Sequence, residues 1–233
     1  MDKVAGLWNK CQKNGKRHIE AYRKIKECSN EKIFMNLLGD NNSKVQCLTF
    51  GTPAKLACTP VLGENSICSI CYAQSGRYSY PNVMFAQIRR LYAFLSDTDR
   101  FIASCINQIN SSKHKYVRMH DSGDFFSIEY TKAWYEIIKE CDKKKFFAPT
   151  RKYLDKDILK QLIQLNSLSN VTIRPSALFI NEESPMIKGL SGGTSVNSNF
   201  GTCQATVNHT SCVEENCRKC WNSNCKNIVF KKH

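Results

Sequence analysis

Two groups of cysteines in this chain have spacings that suit metal ligation. The first is Cys58-x9-Cys68-x2-Cys71. The second is Cys203-x8-Cys212-x4-Cys217-x2-Cys220, with Cys225 just beyond. Each contains a Cys-x2-Cys step, which lets two thiolates turn back onto one metal centre. The chain carries thirteen cysteines in 233 residues, an odd number that cannot be paired completely within one molecule. The N-terminus has no uninterrupted apolar stretch of the kind a secretory signal needs. A cytoplasmic location is therefore expected, and thiols there stay reduced. Metal ligation, rather than a disulfide framework, is the chemistry these residues predict.

The number of thiols in each group matters. A [4Fe–4S] cluster held by three cysteines keeps one iron open to a ligand, whereas structural zinc is closed by four ligands. Cys58, Cys68 and Cys71 fit the open case, but a tail cysteine, His120 or Asp124 would close the site if it supplied a fourth ligand. Cys203, Cys212, Cys217 and Cys220 make a four-thiolate set that suits zinc or a second iron–sulfur cluster equally, with Cys225 as a spare donor. The expected job of the tail site is to pin the C-terminus to the fold. Cys11, Cys28, Cys47, Cys105 and Cys141 read as isolated core or surface thiols with no special role.

A third constellation is His120-Asp121-Ser122-Gly123-Asp124. His120, Asp121 and Asp124 could bind a metal, orient a cofactor or do acid–base work. Gly123 would let a ligand approach the backbone closely. The plainer alternative is a turn in which Asp124 caps the following helix. Thr150-Arg151 and Arg174-Pro175-Ser176 fall at the ends of two further predicted strands. The arginines there could grip a carboxylate or phosphate, or pair with an aspartate on the same rim. Tyr72 and its aromatic neighbours could stack on a base or adenine, or simply pack the loop down. There is no phosphate-loop or dinucleotide fingerprint. A metal-dependent hydrolase at His120, Asp121 and Asp124 lacks the additional acidic residues that would complete it.

The elements that must position these residues alternate in period. Lys44-Val45-Gln46-Cys47-Leu48-Thr49-Phe50 reads as a strand after the turn at Gly39-Asp40-Asn41-Asn42. Further strands are expected at Tyr116–His120, Lys145–Pro149 and Val171–Arg174. Helical periodicity covers about His18–Cys28, Asn82–Leu95, Asp99–Ile109, Glu129–Cys141 and Asp155–Leu168. Strands alternating with helices predict βα units around a parallel sheet. Four strands are too few for a closed eight-stranded barrel. The expected fold is thus α/β, a partial parallel (β/α) barrel or open twisted sheet with a metal-pinned, cysteine-rich C-terminal tail. Residues 1–44 form a basic N-terminal extension, 45–180 the α/β core with the first cysteine cluster, and 181–233 a Gly/Ser/Asn-rich segment and the metal-binding tail.

The formal net charge is +14, from 34 basic and 20 acidic residues. Such a surplus would attract nucleic acid, although metal-bound thiolates would cancel part of it. No apolar run approaches the length of a membrane span. The oligomeric state is not legible.

Taken together, these stretches resemble the bacteriophage gene product 88 family. The matching residues run from Cys58-Thr59-Pro60 through Cys68-Ser69-Ile70-Cys71-Tyr72-Ala73-x2-Gly76-Arg77-Tyr78 and Arg118-x-His120-x-Ser122-Gly123-Asp124-Phe125. They continue through Tyr130, Trp134, Thr150-Arg151, Arg174-Pro175-Ser176 and Cys203-x-Ala205 to Cys217-x2-Cys220-Trp221. The resemblance implies a phage protein working in the host cytoplasm. A fainter similarity is to radical S-adenosylmethionine (SAM) enzymes, whose three-cysteine loop follows the first strand of a partial barrel. The loop here departs from that pattern, with nine residues between Cys58 and Cys68 and an aromatic, Tyr72, after Cys71 rather than before it. That similarity implies one or two [4Fe–4S] clusters and an electron donor as partner; a nucleotide or nucleic acid as substrate is suggested only by the charge and the phage context. In it, Ser122, Gly123 and Asp124 would receive the SAM amino group, and Arg174 its carboxylate or ribose. Tyr72, Arg151 and Ser176 would complete the cofactor site. The alternative is a non-enzymatic protein, stiffened by zinc or iron–sulfur sites, that binds nucleic acid or protein.

Overall fold

The structure, a computed structural model, describes residues 3–40 and 45–232. Its centre is a four-stranded parallel sheet of β1 (Leu48–Phe50), β2 (Tyr116–Met119), β3 (Lys145–Thr150) and β4 (Val171–Pro175), in that spatial order. The register pairs Leu48 with Val117, Val117 with Phe146 and Phe146 with Val171. Each strand lies beside the next in sequence, so every crossover winds the same way and all strand C-termini share one edge. The described strands form an open α/β sheet, not a closed barrel.

Helices cover one face of it. α1 (Lys3–Lys13), α2 (Lys16–Lys26) and α3 (Asn30–Phe34) precede β1, and α4 (Ala54–Ala57) follows it. α5 (Pro81–Ser96) and α6 (Thr98–Ser111) lead to β2, α7 (Ile128–Glu140) to β3 and α8 (Lys156–Asn166) to β4. Their starts are written in the sequence. Pro81 opens α5, and the side chains of Asp97, Ser127 and Asp155 accept backbone N–H groups at the starts of α6, α7 and α8. α1 to α3 are not peripheral to the core: Leu7, Cys11, Ile25 and Phe34 are buried in the same cluster as the sheet.

Strand alternation divides the sheet between two cores. Leu48, Phe50, Val117, Met119, Phe146 and Ala148 join the helical side. Cys47 and Phe147 face the other way and pack with Trp221 of the tail, against which Tyr116, Cys212 and Cys220 also lie. The tail therefore covers the face of the sheet that the helices leave open. β5 (Thr194–Asn197) pairs in parallel with β6 (Ile228–Lys231), and a parallel bridge from Ser176 to Thr194 links this pair to the end of β4. A short helix, α9 (Gln204–Val207), precedes the tail cysteines.

Four strand limits differ from expectation: β3 and β4 each run one residue further, to Thr150 and Pro175, and β1 and β2 are shorter. β1 begins at Leu48 rather than at residues 44–45, because Gln46 takes a left-handed backbone (φ +48°) that breaks the strand. β2 stops at Met119 because His120 does the same (φ +53°). The parts of the predicted turn and strand at residues 41–44 lie outside the described residues.

Candidate functional site

The left-handed turn at His120 throws the next four residues across the C-terminal edge of the sheet. Ser122 ties this loop to the end of β1: its Oγ donates to the Thr52 carbonyl (2.8 Å) and accepts from Gln87 Nε2 (2.7 Å). Gly123, at φ +79°, lies so close to Thr52 that a Cβ there would stand 2.0 Å from Thr52 Oγ1. A glycine is therefore obligatory at this position. Asp124 ties the loop to β3, accepting from Thr150 Oγ1 (2.6 Å), the Arg151 backbone N–H (3.0 Å) and its neighbour Phe125 N–H (2.8 Å). The cap of α7 is Ser127, so the expectation that Asp124 caps that helix is corrected.

These bonds settle what several predicted site residues do. Asp124 and Ser122 are committed to the backbone and side chains of neighbouring strand ends. His120 does not face the loop. It is 3% exposed, shares a hydrogen bond with Tyr130 Oη (3.1 Å) and packs edge-on against Phe125. Burial lowers its pKa to about 4, against a weaker opposing pull from Asp124, so the imidazole is neutral. His120, expected to do acid–base work or hold a ligand, thus packs on the helical side, with its Nδ1 buried and without a hydrogen-bond partner among the described residues. Asp121 is different. Its backbone carbonyl accepts from Tyr72 Oη (2.6 Å), and its Oδ2 accepts from Tyr78 Oη (3.3 Å). Its Oδ1 is buried against Gly51 with no hydrogen-bond partner among the described residues.

The first cysteine group hangs over this edge. Cys58 follows α4 directly, Cys68 lies in a 3₁₀ turn (Ile67–Ile70), and Cys71 joins it to the next turn (Tyr72–Gln74). Ser66 caps the first turn by accepting from Ser69 N–H (3.2 Å), and Ile67 N–H bonds the Leu178 carbonyl beyond β4 (2.9 Å). The loop is thus strung from β1 to β4 across the strand ends. Tyr72 leaves its ring half exposed while its hydroxyl is sunk onto Asp121, and it meets Tyr78 edge-on. The Val61 N–H donates to Cys68 Sγ (3.4 Å). Burial pushes the Cys58 thiol up to about 12, and the negative charges of Asp124, Cys71 and Cys68 add to this while Arg151 opposes it. The three sulfurs, Asp124 and Arg151 therefore share one neighbourhood. Arg151 also donates from Nε to the Ala177 carbonyl (3.4 Å), and the Ser176 carbonyl accepts from Tyr153 Oη (2.9 Å).

On the far face of the sheet, Arg174 is fully buried and organises the tail. Its Nε donates to the Cys220 carbonyl, Nη1 to those of Gly192, Cys225 and Lys226, and Nη2 to those of Lys219 and Asn222. The arginine expected to grip a cofactor carboxylate or ribose thus spends its donors on backbone carbonyls of the tail and of Gly192. Trp221 adds an indole N–H bond to the Val117 carbonyl (3.0 Å). Around this knuckle Cys203, Cys212, Cys217 and Cys220 lie within electrostatic reach of one another. Burial raises the thiols of Cys212 and Cys220, the latter to about 12. Cys225 contributes its carbonyl to Arg174.

Two residues of this region escaped the sequence reading. Cys47, treated as an isolated thiol, is buried beside Cys212 and Cys220. Arg118 has a buried Nε with no hydrogen-bond partner among the described residues. Burial pulls its pKa down, but Tyr72, Asp121, Tyr78 and Cys220 more than offset this, and the net shift is upward. It therefore sits between the two cysteine groups. Strand alternation placed Arg118 and Cys47 on the tail-facing side, but nothing in the sequence said what covered that side.

Among the described residues, no three His, Cys, Asp or Glu side chains converge tightly enough to close on a single ion. No described helix is long and apolar enough to cross a membrane. The family model for Gene product 88 matches residues 16–205. No curated protein and no solved structure matches the chain.

Proposed function

The chain belongs to the gene product 88 family, and from that premise we propose that it is an iron–sulfur enzyme of radical-SAM-like type. Cys58, Cys68 and Cys71 would hold a [4Fe–4S] cluster at the C-terminal edge of the sheet, and the tail thiols would hold a second metal site. The observation that carries the reading is the siting of the three thiols. They overhang the shared C-terminal edge of a parallel sheet, where open α/β folds gather their ligands. When bound, such a cluster supplies single electrons.

The residues that would receive a ligand differ from those first expected. Asp124, Ser122 and Arg174 are spent on the fold, which leaves the unpartnered Asp121 Oδ1 to accept from an ammonium and Arg118 Nε to donate to an anion. Tyr72 covers the same loop and would shield it from water.

The test is the EPR spectrum of the reduced, anaerobically purified protein with and without SAM. A [4Fe–4S] signal that changes on adding SAM is expected. Asp121→Asn, which removes the charge but keeps the shape, should raise the SAM concentration needed by about 10-fold or more. A spectrum indifferent to SAM would refute the ligand site.

A further inference from the structure

Outside the cysteine regions, the α1–α2 hairpin and the start of α3 carry a strongly basic surface. Residues 3–32 carry nine lysines and arginines against three glutamates, all of them exposed. This segment alone supplies a net six of the chain's fourteen positive charges. Ion pairing among the described residues does not neutralise them: the one such pair on the hairpin is a loose, exposed contact between Lys16 and Glu20 (3.9 Å).

We infer that the outer face of this hairpin binds single-stranded nucleic acid. Its charge is laid along a surface with two shallow depressions that mix cations with rings. Trp8, backed by the buried Tyr22, lines one with Arg23, Lys26 and Glu27, and Lys24, Lys32 and Phe85 line the other, again with Glu27. A cationic track beside aromatic faces is what a flexible polyanion with stackable bases requires. A lipid surface fits less well. The apolar residues Leu7, Cys11, Ala21 and Ile25 point into the core, and α1 and α2 expose no large apolar side chain to insert among lipids.

The far end of the hairpin abuts the cysteine loop. Lys10 Nζ donates to the Leu56 carbonyl of α4, and Arg17 donates to the Ser79 carbonyl just past the cysteine turns. A strand lying along the hairpin is thereby led to the edge where Cys58, Cys68 and Cys71 gather. The binding face stands without the cluster; only the identification of nucleic acid as the substrate class rests on the proposed iron–sulfur reading.

The experiment is fluorescence anisotropy with a labelled single-stranded DNA of about 20 nucleotides across a salt series. Two full-length variants with equal loss of charge at exposed positions are compared with wild type. One is Arg23→Gln, Lys24→Gln, Lys26→Gln and Lys32→Gln. The other, on α7, α8 and beyond, is Lys139→Gln, Lys156→Gln, Lys160→Gln and Lys188→Gln. The hairpin variant should bind at least about 10-fold more weakly at moderate salt, with the slope of log K against log salt reduced by about 3. The second variant should lose less than about threefold. Equal losses in both variants, or no loss in the hairpin variant, would overturn the proposal. So would polyglutamate or phosphatidylserine vesicles binding as tightly as DNA with the same dependence on the hairpin. Repeating the titration with Cys58→Ser and Cys71→Ser together separates the two readings. Binding that persists without the cluster is the expected result, and binding that vanishes with it overturns an independent face.

Discussion

The imidazole of His120 lies at the end of β2, the position from which a strand-end histidine would reach a bound ligand. Its left-handed backbone turns it instead into the aromatic packing of Phe125 and Tyr130. Sequence could place His120 at the strand end but not on a face, because one positive φ reverses the alternation on which such assignments rest. The consequence is measurable. An unfolded histidine titrates near 6.5, whereas burial holds His120 near 4. Between these values the unfolded chain takes up a proton that the folded chain refuses. Stability is therefore full above about pH 6.5 and falls as pH drops toward 4, by on the order of 3 kcal/mol in all. His18, lowered chiefly by burial and then by Lys55, contributes in the same direction. His120→Asn keeps a residue that accepts the left-handed backbone, and it should flatten the dependence of the urea midpoint on pH between about 7 and 4.5. An unchanged slope would place the acid sensitivity elsewhere. Asp121 and Asp124 teach the same lesson: acids three residues apart with equal prospects in the sequence, of which Asp124 is consumed by Thr150 and Arg151 while Asp121 keeps an oxygen without a partner among the described residues.

At the scale of elements, the helices and strands from α5 to β4 were legible because their periodicity and caps agree. Asp97, Ser127 and Asp155 sit where a cap is needed, and Val117 and Met119 alternate with Tyr116 and Arg118 as a two-faced strand must. The C-terminal segment was not legible, since it lacks apolar periodicity and its organiser is a distant strand residue. Arg174 gathers the carbonyls of Lys219, Cys220, Asn222, Cys225 and Lys226, doing for an irregular chain what backbone ladders do for a sheet. Arg89 does the same at the end of α3, donating to the carbonyls of Lys32, Ile33, Met35 and Asn36. The tail is thus positioned by a guanidinium and by Trp221 as well as by whatever its thiols bind. Arg174→Lys replaces a five-donor fork with three donors at a single point. It should cost about 3 kcal/mol of stability and expose Cys217, Cys220 and Cys225 to a thiol-labelling reagent, leaving Cys58, Cys68 and Cys71 at wild-type rates. Labelling of the tail cysteines that does not change would mean that the knuckle is held without Arg174.

Over the whole molecule, one parallel sheet separates two environments. Its helical face is an ordinary apolar core, and its other face carries Cys47, Arg118 and Arg174 beneath a tail rich in thiols. The C-terminal edge, with Cys58, Cys68 and Cys71 above Asp121, joins the two, and the basic hairpin of α1 and α2 runs up to that edge. Membership of the gene product 88 family and a parallel α/β fold are shown by the match over residues 16–205 and by the sheet. The metal chemistry is the central claim built on them. It is tested most directly by iron, zinc and acid-labile sulfide content of the anaerobically purified chain, measured beside a variant with Cys58→Ser, Cys68→Ser and Cys71→Ser. The account predicts iron and sulfide in equal amounts, with about four of each per chain lost in the triple variant. Zinc without sulfide, or iron content indifferent to the three substitutions, would contradict it.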